Sequence, residues 1–200
     1  HYRCQINGAC LGFTGVVMAI HTLAVLVENS PGVLARVASL FSRRGYNIDS
    51  LAVGPTENPK VSRMTIVLNL EGHALDQVSA QLFKLVNVIG ISEMKDSDSL
   101  KREILLVKVA NTAATKEIVK KHNAVIADES TTTLSIEAVG QSTAIESLLT
   151  DLKPHGIREL VQSGLVALER GDKTLADRTL STMGTANESD PNSSTADYQN

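Results

Sequence analysis

The chain has 200 residues with 42% apolar and only 3% aromatic residues, no Trp and a net charge of −3. That is material for one large or two small aliphatic cores. The charge lies in residues 171–200, where five acids (Asp172, Asp177, Glu188, Asp190, Asp197) face two bases (Lys173, Arg178), so residues 1–170 balance at zero. A neutral body has no overall electrostatic pull on nucleic acid or on an anionic membrane, and both partners are excluded on that ground.

The apolar run ACLGFTGVVMAI, residues 9–20, is too short for a membrane span of ~20 residues. Residues 1–20 are read as a leader outside the fold. Cys4 and Cys10 both fall in it, with no further Cys or His at ligand spacing, so neither a disulfide framework nor a metal site is expected. TLAVLVE (22–28) is β-branched and apolar without helical spacing, which predicts a strand. Residues 31–44 predict a helix. Val33, Leu34, Val37, Leu40 and Phe41 share one face, Arg36, Arg43 and Arg44 lie largely off it, and Gly45 stops it. NIDSLAVGPT (47–56) and PKVSRMTIVLNL (59–70) predict a strand pair, HALDQVSAQLFKL (73–85) a helix and NVIGISEM (87–94) a fourth strand. The order β-α-β-β-α-β is the ferredoxin-like unit, one antiparallel sheet with both helices on one face.

KDSDSLKR (95–102) is polar and charged and reads as a linker; Asp96 and Asp98 lack the further carboxylates of a metal loop. The second half repeats the plan: a strand at 102–110, a helix near 112–121, strands at 124–128 and 132–140, a helix at 142–155 that Ser142 can cap, and strands at 157–164 and 165–171. The fold class is therefore α+β, two consecutive ferredoxin-like units at 21–95 and 102–171. Residues 172–200 have few apolar residues and no period, and read as a disordered acidic tail.

The turn Asn29-Ser30-Pro31-Gly32 is the most informative local feature. Asn29 and Ser30 are good caps, Pro31 suits the first helical position, and Gly32 leaves the backbone unshielded. A helix N-terminus of this kind carries partial positive charge and suits a carboxylate. Asn47, at the entry to the second strand, can donate and accept, and the plan allows it to lie near the first loop. The same turn chemistry also serves as plain punctuation between strand and helix.

The run ENSPGVLARVASLFSRRGYNIDSLAVGPTENPKVSRMTI (28–66), with Gln81 to Leu85, Arg102 to Val109 and SGLVALERGDK (163–173), resembles the regulatory (small) subunit of acetohydroxyacid synthase, an ACT-domain family. The resemblance covers roughly residues 21–173. Residues 111–127 look a few residues short of the family pattern, and the leader and tail have no counterpart in it. The resemblance implies a first unit that is an ACT domain and a chain without an active site. Its implied partner is the catalytic subunit, which carries thiamine diphosphate, Mg²⁺ and FAD; this chain would hold no cofactor. It implies a homodimer whose ACT sheets join side by side and bind valine at their interface. Raised activity of the catalytic subunit and feedback inhibition in branched-chain amino-acid biosynthesis would follow. Carried over residue by residue, the effector site would use Asn29 and Gly32 with Asn47 and Ile48. The implied location is the cytoplasm, or the stroma in a plant or alga.

Other chemistry finds no support in the residues. No nucleophile elbow, zinc-protease helix, P-loop or dinucleotide fingerprint occurs. His21, His73, His122 and His155 are scattered and read as solvated or capping residues. RNA-binding domains of the same plan need aromatics on their central strands, and NIDSLAVG and VSRMTIVLNL have none. The alternative that stays open is a stand-alone ACT-type amino-acid sensor acting on another enzyme or regulator, which copurification with a large thiamine-dependent subunit would distinguish.

Overall fold

A computed structural model describes residues 18–71, 74–172 and 174–177. The first unit runs β1 (Met18–Glu28), α1 (Val33–Arg43), β2 (Ser50–Pro55), β3 (Val61–Glu71), α2 (Ala74–Leu82) and β4 (Val88–Glu93). The second runs β5 (Ser99–Ala110), α3 (Ala113–Lys121), β6 (Val125–Glu129), β7 (Thr133–Gly140), α4 (Ser142–Leu152), β8 (Ile157–Gln162) and β9 (Val166–Glu169). The sheets are antiparallel, ordered β2-β3-β1-β4 and β6-β7-β5-β8, so the second unit repeats the topology of the first.

The first core lies between the first sheet and its two helices. Leu23, Val25 and Val27 of β1 meet Met64, Ile66 and Leu68 of β3 under Val33, Val37 and Phe41 of α1 and Val78 and Leu82 of α2. Each such side chain removed from water contributes roughly 1.5–3 kcal/mol. Leu34 and Phe83, expected on the apolar faces, are instead exposed. Leu34 turns away from the α1 face that buries Val33, Val37 and Phe41, and α2 ends at Leu82, before Phe83. The second core repeats the arrangement with Leu105, Val107 and Val109 of β5 under Val119 of α3 and Ile145, Leu148 and Leu152 of α4.

The apolar run of β1 has a reason that its letters alone conceal. Residues 22–27 are all buried, because both faces of the strand are covered. The face away from the helices carries Ala24 and Leu26, which pack against Met94, Ala167 of β9 and Leu175. A strand buried on both sides reads as a continuous apolar run, whereas one-sided burial alternates. β5 gives the contrast. Glu103, Leu105, Val107 and Val109 are buried, and Ile104 and Leu106 stand exposed on the open face of the second sheet beside Val139 and Val161.

Three expected boundaries move. β1 starts at Met18, so the last three residues of the expected leader belong to the sheet, where they pair with residues 69–71 of β3. The polar run 95–102 is not wholly a linker. Ser99 to Arg102 open β5 and pair with Val166 to Glu169 of β9. The tail begins ordered: Thr174 and Asp177 close a reciprocal cap, and Leu175 is 5% exposed. Cys4, Cys10, His73 and residues 178–200 lie outside the described residues. Ser142 does not cap α4. Gln141 takes that position, and the Ser142 hydroxyl donates to Glu103 Oε1 (2.5 Å), a buried carboxylate that also accepts from Gln162 Nε2 (2.5 Å).

The tail cap is pH-sensitive. The hydroxyl and the backbone amide of Thr174 hold the Asp177 carboxyl below its ordinary value of 3.8. A carboxyl depressed on folding stabilises in full above that value, and the contribution is lost as pH falls below it. Leu175 methyl resonances are therefore expected to keep their native shifts from neutral pH to about 4 and to move toward solvent-exposed values below it. Asp177→Ala should reproduce the moved shifts at pH 7. Methyl spectra of both proteins check this, and unmoved shifts would mean that the cap does not seat Leu175.

Candidate functional site at the first turn

The turn after β1 is tied from two sides. The backbone N–H of Asn29 donates to Lys60 O (2.7 Å) and its Nδ2 to Pro59 O (2.9 Å), fastening it to the β2–β3 hairpin. On the other side the Glu28 N–H donates to Asn87 O (2.9 Å), Asn87 Nδ2 donates to Glu28 Oε2 (2.6 Å), and Arg36 Nη1 donates to Asn87 Oδ1 (2.5 Å). The helix cap is Gly32, not Asn29 or Ser30, and Pro31 lies outside the helix. Gly32 has φ +83°, in the left-handed region that side chains disfavour, and open space where its Cβ would be. Among the described residues no side chain caps α1, and Arg36 N–H to Gly32 O is its opening hydrogen bond (3.0 Å). Helix entry therefore presents amides without a side-chain partner, and Asn29 keeps its Oδ1 as an acceptor.

Asn47 and Ile48 lie elsewhere. Asn47 Nδ2 donates to Asp49 Oδ1 (2.7 Å), and Ile48 is half-buried against the edge of the first core. The ladder fixes their distance from the turn. Glu28 pairs with Val61, whereas Asp49 N–H bonds Val67 O, six residues along β3. At ~3.3 Å per residue the two pairs stand about 20 Å apart along the strands. The expectation that the first loop and the entry to β2 approach each other within one chain is thus incorrect. β2 runs parallel to β1, so its start at Ser50 lies level with Thr22, six residues before the end of β1.

Two histidines, His21 and His122, meet carboxylates. His21 lies within β1 and its Nδ1 is 2.8 Å from Glu93 Oε1 on β4. His122 caps α3, with Nε2 2.8 Å from Asp151 Oδ2, and His122 followed by Lys121 holds that carboxyl below its usual value. Among the described residues no group of three or more His, Cys, Asp or Glu side chains is placed to hold a metal, and no helix is long and apolar enough to cross a membrane.

Among the described residues, two larger cavities adjoin the first unit. One, of about 730 Å³, lies on the face away from the helices, between the β2–β3 hairpin and the β9–tail segment, with Leu26, Met94, Leu168 and Leu175 among its walls. Arg63 reaches into it. Its Nη2 donates to Ala167 O (2.7 Å), burial lowers the guanidinium pKa, and Glu57 and Glu169 act against that shift. The other, of about 600 Å³, lies between α1 and α2. Neither is lined by Asn29, Gly32, Asn47 or Ile48. The contacts of Arg63, Asn87 and Leu175 were not anticipated. The only advance signals were the pattern Thr174-x-x-Asp177, which has capping-box spacing, and a lone leucine inside it.

Two antiparallel ferredoxin-like units in tandem, the first with a glycine-opened helix after its first strand, define an ACT-type protein with a second α+β unit. Residues 23–90 match the AHAS small subunit-like ACT domain, and residues 102–171 match the family described as the small subunit of acetolactate synthase. The chain is 52% identical over 157 residues to the acetolactate synthase small subunit of Mycolicibacterium smegmatis, covering 76% of this chain and 92% of that one. It is 46% identical over 157 residues to the probable acetolactate synthase small subunit of Archaeoglobus fulgidus, covering 76% and 98%. The crystal structure of the acetolactate synthase small subunit from Thermotoga maritima superposes with a TM-score of 0.73 at 31% identity, covering 78% of this chain and 99% of that one. The chain belongs to the acetolactate synthase small-subunit family.

Proposed function

We propose that the chain is a non-catalytic regulatory subunit. It binds the catalytic subunit of acetolactate synthase, raises its activity and makes it sensitive to valine, in branched-chain amino-acid biosynthesis. Thiamine diphosphate, Mg²⁺ and FAD reside on the catalytic subunit. The observation that carries this reading is the match of both units, in order, to the two halves of the small-subunit family. The effector site takes Asn29 and Gly32 from one copy and Asn47 and Ile48 from a second. Their separation along the sheet favours this division: two copies related by a two-fold axis at the β2 edge run antiparallel, which sets the Asn47 end of one beside the Asn29 end of the other. A homodimer also offers cover for the apolar open face of the second sheet.

Adding the protein to the catalytic subunit of the same organism tests the function. Acetolactate formation should rise, and valine should then suppress it. No change in either condition, with both proteins folded, removes the proposal. Asn29→Ala should weaken valine binding by about 1.5–3 kcal/mol if Oδ1 accepts from the ammonium group, about tenfold to a hundredfold. It should cost about 1 kcal/mol of stability through the lost bond to Pro59. Calorimetry and urea unfolding separate the two effects, and an unchanged affinity would reduce Asn29 to a turn residue.

A further inference from the structure

The groove between α1 and α2 is cationic and unpaired. Arg36, Arg43, Arg44 and Lys84 ring it, Leu40 and Leu85 form its floor, and among the described residues no carboxylate lines it. α1 contains no acid at all. Among the described residues no ion pair reaches any of the four cations, whereas three lysines of the second unit are neutralised where they stand, Lys116 by Glu129, Lys120 by Glu117 and Lys121 by Asp151. Four unpaired cations of the first unit thus gather along one groove, with Lys60 apart on the β2–β3 hairpin. Arg36 is held there by Asn87, which is itself held by Glu28, so this cation is oriented in advance. Small residues, Ala35 and Ser39, keep the α1 wall low.

We infer that this groove docks an acidic segment of the catalytic subunit, with carboxylates meeting the rim and an apolar side chain resting on Leu40 and Leu85. The inference rests on the regulatory-subunit reading above. Charge complementarity selects the occupant. An apolar floor between cations suits a peptide with alternating apolar and acidic side chains. It suits a nucleic acid or nucleotide poorly, because the groove has no aromatic on which a base could stack. The chain's own acidic tail is disfavoured by position. Leu175 packs on the sheet face opposite to the helices, so a segment after it has to pass an edge of the sheet to reach the groove.

The test uses the triple variant Arg43→Glu/Arg44→Glu/Lys84→Glu, whose side chains make no hydrogen bond or ion pair among the described residues. A control, Lys95→Glu/Lys153→Glu/Arg158→Glu, changes net charge equally at exposed positions away from the groove. Affinity for the catalytic subunit is measured at 50 and 500 mM salt, with urea midpoints and valine affinity as readouts independent of docking. The groove variant should bind at least tenfold more weakly at low salt, with the gap shrinking at high salt as charges are screened. The control should stay within twofold of the parent, and midpoints and valine affinity should hold. Parent and groove variant binding alike, or groove variant and control weakening alike, would overturn the groove and leave the regulatory reading standing. A parent protein that does not bind the catalytic subunit would overturn both. A photoreactive maleimide on Ser39→Cys in the assembled complex gives a second measurement. Attachment to an acid-rich peptide of the catalytic subunit supports the inference; attachment to residues 178–200 or to a second copy of the chain overturns it.

Discussion

Gly32→Asp is expected to abolish the response to valine while leaving the protein folded. The φ of +83° at this position penalises any side chain, by about 1 kcal/mol for Asp, which tolerates the left-handed region better than most residues. Nothing within 4 Å obstructs the new Cβ, so the strain stays local. Position 32 is also the helix cap, where an Asp carboxylate accepts from first-turn amides and recovers part of the cost. Those amides suit the effector's carboxylate, and the new charge repels it as well. Valine affinity should therefore fall a hundredfold or more, with a nearly unchanged urea midpoint. Gly32→Asn occupies the same amides without the charge and should weaken binding less. An Asp variant that binds valine normally would sink the site.

The largest effect on stability is expected from Gly164→Ala. A Cβ at this position would stand 2.3 Å from Leu51 O and 2.5 Å from Leu51 C, both backbone atoms of β2 that cannot rotate aside. The turn between β8 and β9 would have to lift. With it would go the bond from the Leu165 N–H to Ser50 Oγ (2.8 Å), the burial of Leu165 and the seat of Ala167 on β1. Overpacking of this severity costs about 3 kcal/mol. Ser50→Ala, which removes only the hydroxyl partner, should cost about 1 kcal/mol. Urea unfolding of both variants, with proteolysis within residues 163–172 as a second readout, checks the pair. A Gly164→Ala protein as stable as its parent would mean that the two units do not bear on each other here.

Much of the fold was legible because each unit obeys local rules. The α1 pattern of Val33, Val37 and Phe41 has helical spacing, Gly45 takes a positive φ after the helix, and β5 alternates buried and exposed residues. What was not legible depends on contacts far apart in sequence. Burial of β1 on both faces needs Ala167 and Leu175, more than 130 residues away, and no local pattern names them. The expected Asn29 cap failed because its side chain found Pro59 across the sheet, leaving the cap to Gly32. Ser142 was diverted in the same manner by buried Glu103. Asn29 and Gly32 could be singled out by turn chemistry. Their separation from Asn47 could not, because it follows from strand order and register.

The return of β9 to the first sheet also carries a consequence in time. Arg63 must wait for Ala167 and Ser50 for Leu165, contacts that close 104 and 115 residues of chain. At the ribosome's pace of ~5–20 residues per second, the 70 residues from 95 to 165 take about 4–14 s to be made. Throughout that interval Ala24, Leu26 and Met94 present an uncovered apolar surface on an otherwise finished sheet. The nascent first unit therefore passes through a defined sticky stage, and its escape depends on the prompt arrival of a four-residue strand encoded near the end of the second unit.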